Sequence, residues 1–320
     1  MNRLERKLIS FTPLNFLLQK SKKIYWRGFE GLPLYNVIKF FYNQIKTQAL
    51  GERASAIAYN FIMAVPPSLM FLFTLIPHLP FVSPKKIKIQ LHELIYDVIP
   101  NPLYNKEVIK FVDSFIEGGK IGLLSFGFLF ALFFASNAVM GIMRSFNKNY
   151  VGFEKRKGIY TRWAAVKLTI MLFALLVIYL TLLISQGAIL ELMVDDSGWR
   201  QVILYSRWLL ILFLIFYAIA FIFRYAPAVY KKWKINSPGA ILTTTLCIFA
   251  SVIFSAFVNY FGNYNALYGS IGTMMMVMAL IFINSLALLL GFELNVSIKT
   301  LKAKHDNATK GHQEKRVVSL

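Results

Sequence analysis

Apolar residues in this chain run in long blocks, and six blocks are long enough to cross a bilayer: residues 55–76, 121–143, 163–190, 203–223, 239–261 and 269–292. A span needs about 20 predominantly apolar residues, so the pattern predicts six transmembrane helices. The third block is long enough to tilt or to project beyond the hydrocarbon. Only GNYNALY separates the last two, which predicts a tight antiparallel hairpin. Two shorter stretches repeat with helical period. Between Pro33 and Leu50, Leu34, Val37, Ile38, Phe41 and Ile45 fall at helical spacing while Lys39 and Lys46 lie elsewhere. That is the pattern of a helix lying on the leaflet surface. Between the first two blocks, Ile87, Leu91, Leu94, Ile95 and Val98 repeat in the same way. After Asn101-Pro102, so do Val108, Phe111, Val112 and Phe115. They predict a small helical cap over 84–120. Beyond about residue 300 the chain is polar and charged, and disorder is expected there.

The expected fold is therefore all-α and polytopic. It has a basic N-terminal segment (1–32), a six-helix membrane domain (33–298) and a polar tail (299–320). No internal repeat is visible, although two inverted three-helix halves are compatible with the count.

Charge adds an orientation. Residues 1–53, 144–167, 224–238 and the segment after 292 hold 27 of the 35 basic residues, and they alternate along the chain. The intervening loops are balanced, acidic or uncharged. Under the positive-inside rule both termini face the cytoplasm. Trp199 and Trp208 then fall at the outer edge, and Trp163 and Trp233 at the inner edge, as an aromatic belt requires. The same distribution accounts for the net charge of +20 without invoking nucleic acid. At 57% hydrophobic and 16% charged, the composition lies well away from the roughly 25% charged residues of a soluble domain. The N-terminus has basic flanks but no sustained apolar core or small-residue cleavage site, so it does not read as a signal peptide.

Polar groups inside the blocks are the candidate chemistry. The first block carries Asn60 and, at its middle, Pro66 and Pro67. In hydrocarbon a freed backbone group costs several kcal/mol unless a neighbour satisfies it. A broken first span lining a polar gap is thus one expectation, and a packing kink the plainer one. Thr244, Ser251, Ser255 and Asn259 share one side of the fifth block; Asn284, Leu288, Gly291 and Asn295 share one side of the sixth, and Asn137, Gly141 and Arg144 align in the second. Small and hydroxyl residues on one face usually mean close helix packing. Glu293 is the acid at the inner end of the last span, and Arg207 and Arg224 bracket the fourth. A Glu293–Arg224 pair is the expected arrangement.

The lone cysteine, Cys247, excludes a disulfide framework. His78, His92, His305 and His312 are scattered, with no HxH pair. No metal site, cofactor or nucleophile motif is therefore expected, and neither is enzymatic activity. A metal-dependent nuclease would need several His, Asp or Glu ligands brought together.

Several motifs, taken in order, resemble one family. Ala54, Ala56, Ala58 and Tyr59 followed by Pro67 are similar to the first-span signature of the YihY/virulence factor BrkB family. So are Phe223-Arg224-Tyr225-Ala226-Pro227 and the Pro238-Gly239-Ala240 that opens the fifth span. Tyr268-Gly269-Ser270-Ile271-Gly272, the closing Gly291-Phe292-Glu293-Leu294-Asn295, and Asn147 after the second span complete it. Asn60 and Asn284 stand where an aromatic is commoner in the family. The resemblance covers residues 35 to 298. It implies a multi-pass protein of the bacterial inner membrane, from a family labelled ribonuclease BN, linked to serum resistance or proposed to move lipids. Two functions are carried forward. A transporter or flippase-like mover of envelope components would use a cavity bordered by Asn60, Pro66, Pro67, Arg224, Pro227, Asn259, Tyr268, Gly269, Gly272, Asn284, Glu293 and Asn295. A non-transporting scaffold for envelope integrity would instead be a filled bundle. The expected partners are membrane lipids, through anionic headgroups at the cytoplasmic face, with no nucleic acid; a homo-oligomer is compatible with either.

Overall fold

The computed structural model describes residues 20–26, 28–75, 121–147, 158–192, 197–229, 232–260 and 264–318, with helical positions at 88–89, 92, 106, 109–110 and 113–114. Among these residues the regular structure is helical, with isolated bridge positions at Tyr25 and Pro33, which pair with each other, and at Val229. The helices are α1 (Leu34–Thr47), α2 (Leu50–Leu75), α3 (Ile121–Phe146), α4 (Gly158–Leu192), α5 (Ser197–Tyr225), α6 (Pro238–Tyr260) and α7 (Tyr264–Val318). The six longer ones overlie the six apolar blocks in order. Five contain stretches long and apolar enough to cross a membrane, and the described apolar part of α5, Leu209–Tyr225, is shorter. Helix is forced on such sequences, because in lipid every backbone N–H and C=O has to be satisfied within the segment.

Two expectations are corrected by the helix boundaries. The first span is not broken: α2 runs through Pro66 and Pro67 without interruption. A proline removes one bond to the carbonyl four residues back, and the turns on either side hold the helix together. Pro66 is exposed and Pro67 half-buried, so Pro66 does not line an enclosed gap. The polar tail is not disordered either, because α7 continues as one 55-residue helix through it to Val318.

The chain divides into two compact units. The first comprises residues 1–56, 145–155 and 227–320. Within it α6 and α7 pack antiparallel, as the short link predicts, and α1 packs on α7. The α6–α7 contact is set by glycine. A Cβ on Gly239 would lie 2.1 Å from the Gly291 carbonyl oxygen, and one on Gly291 would lie 1.9 Å from Thr243 Oγ1. The Thr243 hydroxyl donates to the Ala287 carbonyl at 3.2 Å across the same contact. Phe29, Leu32 and Val37 close a core with Leu294 and Ile298 of α7.

The second unit comprises residues 57–144 and 156–226. Here α4 packs on α5, Phe71 meets Phe128 and Phe173, and the Asn60 side chain lies against Gly141. Arg162 donates to Asn137 and stacks over Phe133 with its guanidinium 4.9 Å from the ring centre. In the segment 84–120, the described residues show a small charge cluster. Asp113 meets His92 Nε2 at 2.8 Å and Lys88 Nζ at 3.1 Å. Burial alone would raise the Asp113 pKa, but the His92 and Lys88 contacts outweigh it and hold the carboxyl below its ordinary value of 3.8.

Candidate functional site

The most unusual chemistry sits where the first turn of α2 meets α7. After α1 ends, Gln48 is extended (φ −99°, ψ 131°), and the chain turns straight into α2. This puts Arg53 on the first turn of a membrane span, next to Ala54 and Ile57, which are both fully buried. Arg53 itself is only 7% exposed and Glu293 not at all. Arg53 Nη1 donates to Glu293 Oε1 at 2.6 Å, and Nη2 donates to the Ser145 carbonyl at 2.7 Å. Ser145 is in the last turn of α3, where carbonyls lack a partner four residues on. One guanidinium thus neutralises the acid of α7 and caps the negative end of α3. The Gln48 amide oxygen, 3.4 Å from Nη1, lies at the edge of hydrogen-bonding range.

The surroundings are apolar and tightly packed. Phe292, next to Glu293, stacks on Phe146 with centroids 3.9 Å apart and planes within 4°. Trp233 packs on the same ring at 5.5 Å. In such a medium a close ion pair interacts far more strongly than at a wet surface.

A second polar constellation lies on α7 near the pair. Ser237 precedes α6 and accepts from the Ala240 N–H at 3.3 Å, with Pro238 at the first helical position. Serine at the N-cap with proline after it is a favoured helix start. Asn295 completes the cap from another helix: its carbonyl oxygen accepts from Gly239 N at 2.8 Å and its amide donates to Ser237 Oγ at 3.0 Å. Nearby, Asn147 Oδ1 accepts from the Ala228 N–H at 3.2 Å, and Pro227 is buried beside it in the chain.

The expected partner of Glu293, Arg224, belongs to the second unit, whereas Glu293 belongs to the first. Within the first unit Glu293 pairs with Arg53, a partner the sequence reading did not name; within the second, the Arg224 guanidinium lies over the ring of its own neighbour Tyr225, 5.8 Å from the centroid. Arg53 was missed because it falls among the ten basic residues of 1–53 that read as a cytoplasmic flank. It lies two residues before the first apolar block, directly ahead of Ala54. Of the other candidates, Asn284 donates back to the Leu280 carbonyl of its own helix at 3.0 Å, and Gly272 is buried. Asn60, Pro66, Pro67 and Arg224 belong to the second unit. The side chains of Asn259 and Tyr268, with Gly269, lie outside the described residues, as do those of Arg207, Trp199 and Trp208. Among the described residues no three His, Cys, Asp or Glu side chains are grouped as metal ligands.

Apolar helices of spanning length, with a charge pair buried among them, define a multi-pass helical membrane protein. Residues 41–316 match the Virulence factor BrkB family, and the chain belongs to it. Among its relatives, the Putative ribonuclease-like protein YfkH of Bacillus subtilis (strain 168) is 29% identical over 263 residues, 80% of this chain and 92% of that one. A UPF0761 membrane protein of Chromohalobacter salexigens is 26% identical over 249 residues; the match takes in 76% of this chain but only 58% of that longer relative. No solved structure matches the chain.

Proposed function

We propose that the protein moves a lipid or another amphiphilic component of the envelope across the bacterial inner membrane and catalyses no covalent chemistry. The observation that carries this reading is the buried Arg53–Glu293 pair. Ionisable residues within spans are rare and mark functional sites by default. A buried ion pair is also weak as a stabiliser, since apolar residues of similar volume usually serve as well. Its advantage lies elsewhere: it has two discrete states, made and broken. Here one guanidinium touches both Glu293 of α7 and the Ser145 carbonyl of α3, so losing that contact frees the first turn of α2 from both.

The test is reconstitution in liposomes with a fluorescent lipid whose outer-leaflet population can be chemically bleached. Wild-type protein should expose inner-leaflet lipid faster than empty vesicles, and Glu293→Gln should shift that rate about tenfold or more. Equal rates for wild type and empty vesicles would overturn the proposal.

A second reading, a non-transporting scaffold, draws on a different observation. Helix α2 is continuous and Pro66 is exposed, so the first span offers no opening of its own. On that reading Glu293→Gln loosens the fold without changing lipid movement.

A further inference from the structure

Residues 20–47 precede the first span and form an element with two faces. One face is pinned to the first unit. Phe29, Leu32 and Val37 are buried with Leu294 and Ile298, and Leu34 and Phe41 pack against the same cluster. The loop is closed by Leu34 N donating to the Ile24 carbonyl at 3.0 Å and Phe29 N donating to Trp26 at 3.1 Å. It turns through Gly28 at φ 106°, where a Cβ would come within 2.9 Å of Pro238 Cγ. Glu30 pairs with Lys299 of α7.

The other face is turned outward and has a different composition. Tyr25 and Trp26 are each 64% exposed, and Ile38 and Tyr42 more than half. On α1 the positions Tyr35, Ile38, Lys39, Tyr42 and Lys46 follow one another at helical spacing, a stripe beside buried Val37 and half-buried Leu34 and Phe41. Lys22 and Lys39 both stand over the Tyr35 ring, at 5.3 and 5.9 Å, and Lys46 over Tyr42 at 4.3 Å. Lys20 and Lys23 are exposed as well. The acid of this segment, Glu30, is already engaged by Lys299, so the outward face carries lysines and aromatic rings.

We infer that this face docks on anionic phospholipid headgroups of the membrane that holds the protein. Aromatic rings with an apolar body and a polar edge favour the headgroup level, and lysines beside them gain from a negative surface. Proximity argues for lipid over a soluble acidic partner. Thr47 ends α1 and Leu50 already opens a spanning helix, so the stripe begins within a few residues of the bilayer boundary. The recognition does not depend on what, if anything, the protein moves. Because the pinned face rests on α7, anionic lipid would bear on the helix that carries Glu293.

The test uses the full chain in vesicles of brominated phosphatidylcholine, alone or mixed with phosphatidylglycerol. Trp26 is isolated as the difference between wild type and Trp26→Phe. Phosphatidylglycerol should about double the bromine quenching of Trp26, and high salt should reverse the gain. Each lysine contributes about fivefold to affinity for an anionic surface. The Lys22→Gln/Lys39→Gln/Lys46→Gln variant should therefore lose the phosphatidylglycerol effect, while buried Trp233 keeps its emission and reports an intact fold. Trp26 that stays equally quenched with and without phosphatidylglycerol, or that remains open to aqueous iodide in both, would overturn the inference. Retention of the full effect in the triple variant would overturn it too.

Discussion

If Arg53 and Glu293 form one buried pair, each should be costly to remove alone and cheap to remove together. In Glu293→Leu the Arg53 guanidinium stays buried with its charge uncompensated. Leaving one partner of a buried pair in this way costs about 3–5 kcal/mol. In Arg53→Met the Glu293 carboxylate is the stranded charge, with the same range, and the Ser145 carbonyl loses its donor as well. An unsatisfied buried acceptor costs roughly 1–3 kcal/mol. In the double variant no charge remains, so only the Ser145 term survives. The singles should thus total about 7–13 kcal/mol and the double only about 1–3, a coupling of at least ~4 kcal/mol. Coulomb's law at an effective dielectric of 20 gives about 4 kcal/mol for charges 4 Å apart, the same order. The assay is unfolding of purified protein by added SDS in mixed micelles, followed by circular dichroism, for the wild type and the three variants. Singles that each lose less than about 1 kcal/mol, with a double additive to within ~0.5 kcal/mol, would refute the reasoning.

The glycine contact predicts that Gly239→Ala and Gly291→Ala each cost at least about 1–3 kcal/mol through overpacking, seen as lower melting temperatures. Gly51→Ala, whose Cβ meets nothing within 4 Å, should be neutral or stabilising by up to about 1 kcal/mol. Loss of the shared cap in Asn295→Ala should lower stability by about 1–2 kcal/mol, and Ser237→Ala by a similar amount, with a double variant that is clearly non-additive in the same SDS titration. For Asp113 the sign follows from a lowered folded-state pKa: its contribution is present above the unfolded value and is lost as pH falls through the folded one. Hydrogen exchange around His92 and Asp113 should therefore not respond to the Asp113 carboxyl above about pH 5, and should rise as pH drops below 3.8. Asp113→Asn should remove that acid-side response.

The positions of the long helices were legible because burying a backbone in lipid leaves few options, and a 20-residue apolar run states that constraint directly. Helix α1 was legible for a related reason, since Leu34, Val37 and Phe41 keep a 3–4 spacing whichever surface they meet. Proline and charge misled. Pro66-Pro67 reads locally as a break, but a helix loses only the bonds those residues would have donated, and the flanking turns of α2 carry it through. The tail reads as solvated because nothing in its own composition demands order, yet it continues a helix already nucleated in the membrane, which escapes the nucleation penalty. Glu293 was found as an anomaly, and its partner was not, because pairing is a three-dimensional fact. Both Arg53 and Arg224 lie at the end of a span with a basic flank, and nothing in one dimension distinguishes a guanidinium turned inward from one lying over Tyr225.

The contacts of α7 then say where the first unit can yield. Along it, Ala287 accepts from Thr243, Gly291 meets Gly239 backbone to backbone, and Asn295 caps α6. Those three contacts recur at four-residue intervals, and the glycine approach leaves no room for α6 to slide without a steric clash. Helices α6 and α7 therefore move as one body. Below them, Ile298 and Lys299 hold the segment before α2 through Leu32, Val37 and Glu30. The first turn of α2 meets this body through a different kind of contact, the guanidinium of Arg53, which also holds the Ser145 carbonyl at the end of α3. Interdigitated backbone resists displacement in every direction, whereas an ion pair has one bond length to lose and can be replaced by water or a competing charge. On the proposed function, the Arg53–Glu293 contact is accordingly where this unit yields. A cross-link placed there, from Arg53→Cys to Glu293→Cys in a Cys247→Ser background, should stop lipid movement completely on oxidation and restore it on reduction. One placed across Gly239 and Gly291 in the same background should leave movement unchanged in any molecule that still folds. If oxidation at the Arg53 site leaves movement intact, the pair is a fastening and the first unit works, if it works at all, as a single rigid block.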